Sequence, residues 1–130
     1  MYLGYLREAG YWTTWLLGAV DPRVIAIVPV IMDELNFVEN IKHPFRAYEG
    51  WSFAFYDYWA MNLTVSFDNP KMQEMFEIID PFEFRDKLIM PKFVCDSAGD
   101  EFFLVDDKLY CLHDMPMEYE MNKFLILPNS

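Results

Sequence analysis

The sequence predicts an α/β fold in which a parallel sheet is flanked by helices. Three short apolar runs, at 24–28, 93–95 and 123–127, are typical of buried strands, and helical patterns lie between them. Strands that alternate with helices favour a parallel sheet with right-handed crossovers. A carboxylate, Asp100, follows the second run, just past a break at Ser97–Gly99. Ligands and catalytic groups of open α/β sheets gather at the carboxyl ends of strands, so Asp100 is the first candidate functional residue.

The composition argues against some classes of partner and against a membrane-spanning segment. The 130 residues are 54% hydrophobic, which is ample for one core, and we predict a single domain over 1–130 with a helical insertion at 34–80. The net charge of −11 argues against nucleic acid and anionic membrane surfaces, because phosphate binding needs clustered Lys and Arg. The longest apolar run, Val24–Met32, is nine residues, whereas a membrane span needs about twenty. The first ten residues lack the pattern of a signal peptide.

The first helix is predicted over 11–20. Apolar side chains at 12, 15, 16 and 19 recur at helical spacing and form one face. Asp21-Pro22 ends the helix, because proline cannot continue its hydrogen-bond ladder. The β-branched run that begins at Val24 lacks alternation, which predicts a strand covered on both faces. Pro29 argues against a regular central strand, so we expect the strand to end there.

An aromatic segment from Phe37 to Phe67 predicts a helical insertion with loops around His43-Pro44 and Glu49-Gly50. Most of its rings are expected to pack on the core, while Tyr48 and Trp51 are candidate walls of a substrate pocket. Asn62-Leu63-Thr64 is a sequon, which makes Asn62 a candidate glycosylation site.

The second clear helix follows Asn69, which is expected to cap it, with Pro70 at the first helical position. Side chains at 72, 75, 76 and 79 form its apolar stripe, and Asp80-Pro81 stops it. We predict a short helix at 81–87, and a loop followed by a helix at 102–113.

The remaining reactive side chains receive structural interpretations. His43 is expected in a loop and His113 at the surface, and two histidines 70 residues apart give no metal signature, so no metal or cofactor is predicted. Asp106 and Asp107 are expected to form a solvated helix start.

Serine and cysteine side chains are interpreted in the same way. Ser52 and Ser97 are not placed for nucleophilic attack. Cys95 lies in a predicted buried strand and is expected to be a core thiol, since two cysteines make no disulfide framework.

The approach to Asp100, with Asp80-Pro81, Arg85 and Pro91-Lys92 before the apolar run, resembles the acid strand of α/β-hydrolases. More specifically, the chain resembles the PhoPQ-activated pathogenicity-related family, which includes secreted autocrine proliferation repressor proteins. The segments that carry this resemblance are W-T-T-W-L-L-G-A-V-D-P-R-V from Trp12, G-W-S-F-A-F-Y-D-Y from Gly50, M-N-L-T from Met61 and G-D-E-F-F-L from Gly99.

The resemblance implies a Ser–Asp–His hydrolase fold with a helical cap, in which Asp100 holds the acid position. The family's serine is expected in a turn just before Trp12, but residues 4–11 contain no serine, threonine or cysteine. Its histidine is expected after the last strand, beyond Ser130. The chain is therefore expected to be a partial α/β-hydrolase fold that is inactive alone.

Two alternatives remain, a non-catalytic secreted regulator and a serine esterase or peptidase with an unrecognised nucleophile. Substrate and partner, whether a small molecule or a protein, are not predicted. The strand at 24–28 is expected to lack the neighbour that precedes the nucleophile turn. Since open apolar edges promote association, self-association through that edge is expected.

Overall fold

A computed structural model describes residues 2–4, 12–30, 35–51, 53–98, 100, 104, 106–116 and 123–127. The strands are β1 (Tyr2–Gly4), β2 (Val24–Ile27), β3 (Phe93–Ser97) and β4 (Lys123–Leu127); the α-helices are α1 (Thr13–Val20), α2 (Phe37–Tyr48), α3 (Tyr56–Ala60) and α4 (Pro70–Ile79). Short 3₁₀ helices cover Phe53–Phe55, Pro81–Lys87, Asp107–Tyr110 and Leu112–Asp114.

The described strands form two parallel pairs. β1 pairs with β2 and β3 pairs with β4, and isolated parallel bridges join Ile27 to Lys92 and Val30 to Cys95. Two backbone hydrogen bonds support these bridges, from Ile27 N–H to the Pro91 carbonyl and from Cys95 N–H to the Pro29 carbonyl. All three strands that the sequence predicts are present, and the bridges place β2 beside β3.

The expectation that β2 lacks its preceding neighbour is wrong. β1 lies parallel to β2, with Leu3 opposite Ala26 and Gly4 opposite Ile27. Three residues, one of them glycine, are too few for a strand pattern to be recognised in the sequence. β1 covers this edge of β2, and self-association of the chain stays a prediction.

The main core lies between α1 and the strands. Trp15 is fully buried with Val24, Ile27, Leu88 and Val94. Gly18 allows close contact, because a Cβ there would lie 3.2 Å from a methyl group of Ile27 and 3.3 Å from one of Leu88. The side of α1 that packs on β2 and on the segment after the 3₁₀ helix Pro81–Lys87 includes Trp15 and Gly18, and of the apolar face that the sequence predicts only Trp15 is fully buried.

The insertion is helical, as the aromatic segment predicts, and has its own core of Phe37, Ile41, Phe55 and Phe67. The loop expected at His43-Pro44 is wrong, since both residues lie inside α2. Proline usually ends a helix at the preceding residue, but the apolar face of α2 packs on this second core and keeps the helix continuous. Glu49, with φ 55°, ends α2, as the predicted turn requires.

Helix α4 begins and ends where the sequence predicts. The Asn69 side chain accepts a hydrogen bond from Lys71 N–H at 3.0 Å, and Pro70 takes the first position. Asp80 follows the helix and is buried. Its carboxylate accepts backbone hydrogen bonds from Asn36 at 3.3 Å, Phe37 at 2.7 Å and Phe82 at 2.9 Å. One side chain therefore fastens the start of α2 to the start of the next 3₁₀ helix.

Both cysteines are buried thiols, so the interpretation of Cys95 is confirmed. Burial raises the pKa of Cys95, which keeps the thiol protonated. Within the described residues, no helix has the length and apolar character needed to cross a membrane.

Candidate functional site

Asp100 lies just past the carboxyl end of β3 and is half-buried. β3 has β4 on one side, and its bridge from Cys95 to Val30 lies on the other. The position is the one that the sequence predicts, at the edge where parallel strands present their functional groups.

Asp96, which sequence analysis does not single out, is a buried carboxylate within β3. It is 3% exposed, and neither of its oxygens accepts a hydrogen bond from the described part of the chain. Burial raises the pKa of Asp96, and the positive charge of Lys108 opposes that rise. A buried carboxylate without hydrogen bonds is costly to ionise. The ionised form of Asp96 therefore destabilises the folded chain, close to the end of β3 that precedes Asp100.

We expect Asp96→Asn to stabilise the chain at pH 7 by about 1 kcal/mol, since it removes a buried charge and leaves only a neutral amide to satisfy. The folded state binds the Asp96 proton more tightly than the unfolded state. The wild type should therefore lose stability as the pH rises from the ordinary value of 3.8 through the raised pKa. Urea unfolding at several pH values measures this slope.

The control for Asp96 is Glu77→Gln, which removes an exposed carboxylate on α4 and should leave the slope unchanged. An Asp96→Asn chain that is no more stable than the wild type at pH 7 would show that the ionised form is well solvated.

A second group of polar side chains joins the insertion to the segment after β3. His43 Nε2 on α2 lies 3.0 Å from Asp106 Oδ1 and 3.9 Å from Asp107 Oδ1. The other ring nitrogen, Nδ1, is hydrogen-bonded to the Tyr110 hydroxyl at 3.2 Å. The Asn36 side chain also donates to the Tyr110 carbonyl at 3.0 Å. These contacts hold α2 against the 3₁₀ helix Asp107–Tyr110.

Two sequence expectations fail at this group. Asp107 is 1% exposed, so it is not part of a solvated helix start, although Asp106 is half-exposed. His43 is largely buried on a helix and is not a loop histidine. Sequence separation hides this group, because its members meet only after the insertion has folded back. His113 is exposed and close to its neighbour Asp114, as a surface histidine should be.

An apolar groove of about 510 Å³ lies between α1 and the insertion. Its walls include Trp12 and Leu16 from α1, Phe37 from α2, and Met72 and Phe76 from α4. Trp12 packs edge-on against Phe37 and Phe76 at ring separations of 5.7 and 6.5 Å. The volume falls within the range of small-molecule pockets.

The residues predicted as pocket walls lie away from this groove. Tyr48 ends α2 and is half-exposed, outside the described lining. Trp51 packs on Phe45 at a ring separation of 4.7 Å and borders a smaller depression of about 310 Å³. Asn62 is exposed in a turn, with φ 56°, where a glycan would be accessible. Glycosylation at this residue stays a prediction. Ser97 is the last residue of β3, and Ser52 lies outside the described residues.

Comparison with known proteins decides the family. The sequence profile of the family described as PhoPQ-activated pathogenicity-related protein matches residues 10–130. The chain belongs to this family. The PhoPQ-related chain is also 43% identical, over 119 residues, to autocrine proliferation repressor protein A of Dictyostelium discoideum. That alignment covers 92% of the chain and 24% of the relative, so the PhoPQ-related chain spans about a quarter of that protein's length.

Proposed function

We propose that this chain forms the acid-bearing part of an α/β-hydrolase-like domain and does not hydrolyse esters or peptides alone. The observation that carries the proposal is the position of Asp100, directly beyond a parallel strand with neighbours on both sides. In a Ser–Asp–His site, an acid at this position holds the imidazole in the correct tautomer and stabilises its cation.

The groove supports the same function. α1 contacts β1, and Trp12 and Thr13 at the start of α1 line the groove. An apolar groove of this volume suits the acyl or other apolar part of a hydrolase substrate.

The positions of the two histidines support the inactive proposal. His43 contacts Asp106 and Tyr110, and His113 is exposed beside Asp114. Each already has an acidic neighbour other than Asp100, so we assign the role of general base to neither.

The test is labelling of the purified chain with a serine-directed fluorophosphonate, together with a p-nitrophenyl ester assay. We expect no labelling and no hydrolysis above the buffer rate, in the wild type and in Asp100→Asn alike. Robust labelling that Asp100→Asn reduces would overturn the inactive proposal and establish the esterase alternative.

A non-catalytic regulator is the second candidate, and the identity with a protein named as an autocrine proliferation repressor favours it. Exposed aromatic side chains of the insertion, Phe53, Tyr56 and Trp59, offer a surface for a protein partner. This function, which requires secretion, predicts that the purified chain added outside dividing cells slows their doubling. Unchanged doubling would exclude it.

A further inference from the structure

We propose that His43, Asp106 and Asp107 bind a divalent transition-metal ion, through one imidazole nitrogen and two carboxylate oxygens. The three donor atoms all lie within 4.8 Å of one another. This site is separate from Asp100 and does not depend on whether the chain belongs to a hydrolase.

Neighbouring groups fix two of the ligands in place. In the tautomer that binds metal, Nδ1–H of His43 donates to the Tyr110 hydroxyl oxygen at 3.2 Å, which leaves the lone pair of Nε2 directed at the carboxylates. Asp107 accepts the Leu104 N–H through Oδ2 at 2.7 Å, and its Oδ1 is the oxygen nearest His43. Metal-binding histidines and carboxylates commonly have such outer partners, which set the tautomer and the orientation of each ligand.

The chemistry of Nε2 calls for a positive group. The atom is buried, and it forms no hydrogen bond with any described residue despite its 3.0 Å distance from Asp106 Oδ1. A nitrogen lone pair that faces two carboxylate oxygens is repelled by them unless a proton or a metal cation lies between. A cation between these atoms would use the Nε2 lone pair and the carboxylate oxygens as ligands, without the alignment that a hydrogen bond requires.

The distances suit a shared ion. Ligands about 2.1 Å from a tetrahedral zinc ion lie roughly 3.4 Å from one another. The observed separations of 3.0 and 3.9 Å lie on either side of that value. Imidazole with carboxylates selects zinc or a similar transition metal, whereas calcium and magnesium prefer all-oxygen sites. Because the ligands come from α2 and from the segment after β3, the ion would fasten the insertion to that segment.

The experiment is calorimetric titration of the chelator-treated chain with zinc chloride. We expect saturable binding of one zinc ion per chain and no comparable binding of magnesium. Asp106→Asn changes a half-exposed side chain, so the fold should survive, and zinc affinity should fall at least tenfold. His43→Asn should abolish binding, with circular dichroism to check that the variant folds.

His113→Asn is the matched control, because His113 also lies beside an aspartate, at 3.2 Å, but is exposed. Among the described residues, no further ligand completes a group of three around it. Its zinc affinity should equal that of the wild type. The proposal is overturned by the absence of saturable zinc binding, which would mean that a proton holds the group together. It is equally overturned if His113→Asn and Asp106→Asn weaken binding by the same factor.

Discussion

Asp80→Ala should lower the free energy of unfolding by about 3 kcal/mol or more, because three backbone N–H groups lose their acceptor and each buried unsatisfied donor costs about 1–3 kcal/mol. Two of these donors begin α2 and one begins the next 3₁₀ helix. The loss therefore weakens both the insertion and its attachment to the main core. Urea unfolding followed by circular dichroism measures the effect.

Asp86→Ala is the control for this substitution, since it removes an exposed aspartate from the same 3₁₀ helix and should change stability by less than about 0.5 kcal/mol. Asp80→Asn keeps one side-chain oxygen as an acceptor and should fall between the two. Equal stability of Asp80→Ala and Asp86→Ala would show that water replaces the carboxylate at no cost.

Trp15→Ala should cost about 3–5 kcal/mol, the range for removal of a large aromatic side chain from a core. Trp15 is fully buried in the same core as Val24 of β2 and Val94 of β3, so its removal leaves a cavity at the centre of that core. Since small domains have about 5–15 kcal/mol of stability in total, this variant should melt far below the wild type or fail to fold. Thermal and urea unfolding by far-ultraviolet circular dichroism measure the difference.

Trp59→Ala provides the comparison, because it deletes the same side chain at a position that is 55% exposed. Its cost should be below about 1 kcal/mol. Similar losses for the two tryptophan variants would contradict the placement of Trp15 at the centre of the core.

The elements that sequence predicts correctly depend on local chemistry. The boundaries of α4 follow from residues that act on the neighbouring backbone. Asn69 and Asp80 accept hydrogen bonds from N–H groups two residues later, and Pro70 occupies the first helical position. β2 and β3 follow from their apolar runs, but the predicted coverage of β2 on both faces is wrong, since Ile25 is 50% exposed. β1 is too short to show such a run, and α2 continues through Pro44 because packing of its apolar face outweighs a local breaker.

The candidate sites divide in the same way. Asp100 is predicted because the apolar run at 93–95 and the break at Ser97–Gly99 precede it directly in the chain. The group around His43 is missed because its carboxylates lie more than sixty positions away along the sequence, and only the packing of α2 brings them together. Asp96 is missed because an acid at the end of an apolar run indicates nothing about its hydrogen bonds.

The bridge between Ile27 and Lys92 has a consequence for the speed of folding. It closes a loop of roughly 65 residues that contains the whole insertion, and such long-range pairing carries a large entropic cost before any contact compensates it. The insertion has its own aromatic core and can shorten this loop by folding first. We expect α2, α3 and α4 to become protected from hydrogen exchange early, with β3 joining β2 in the slower, rate-limiting step.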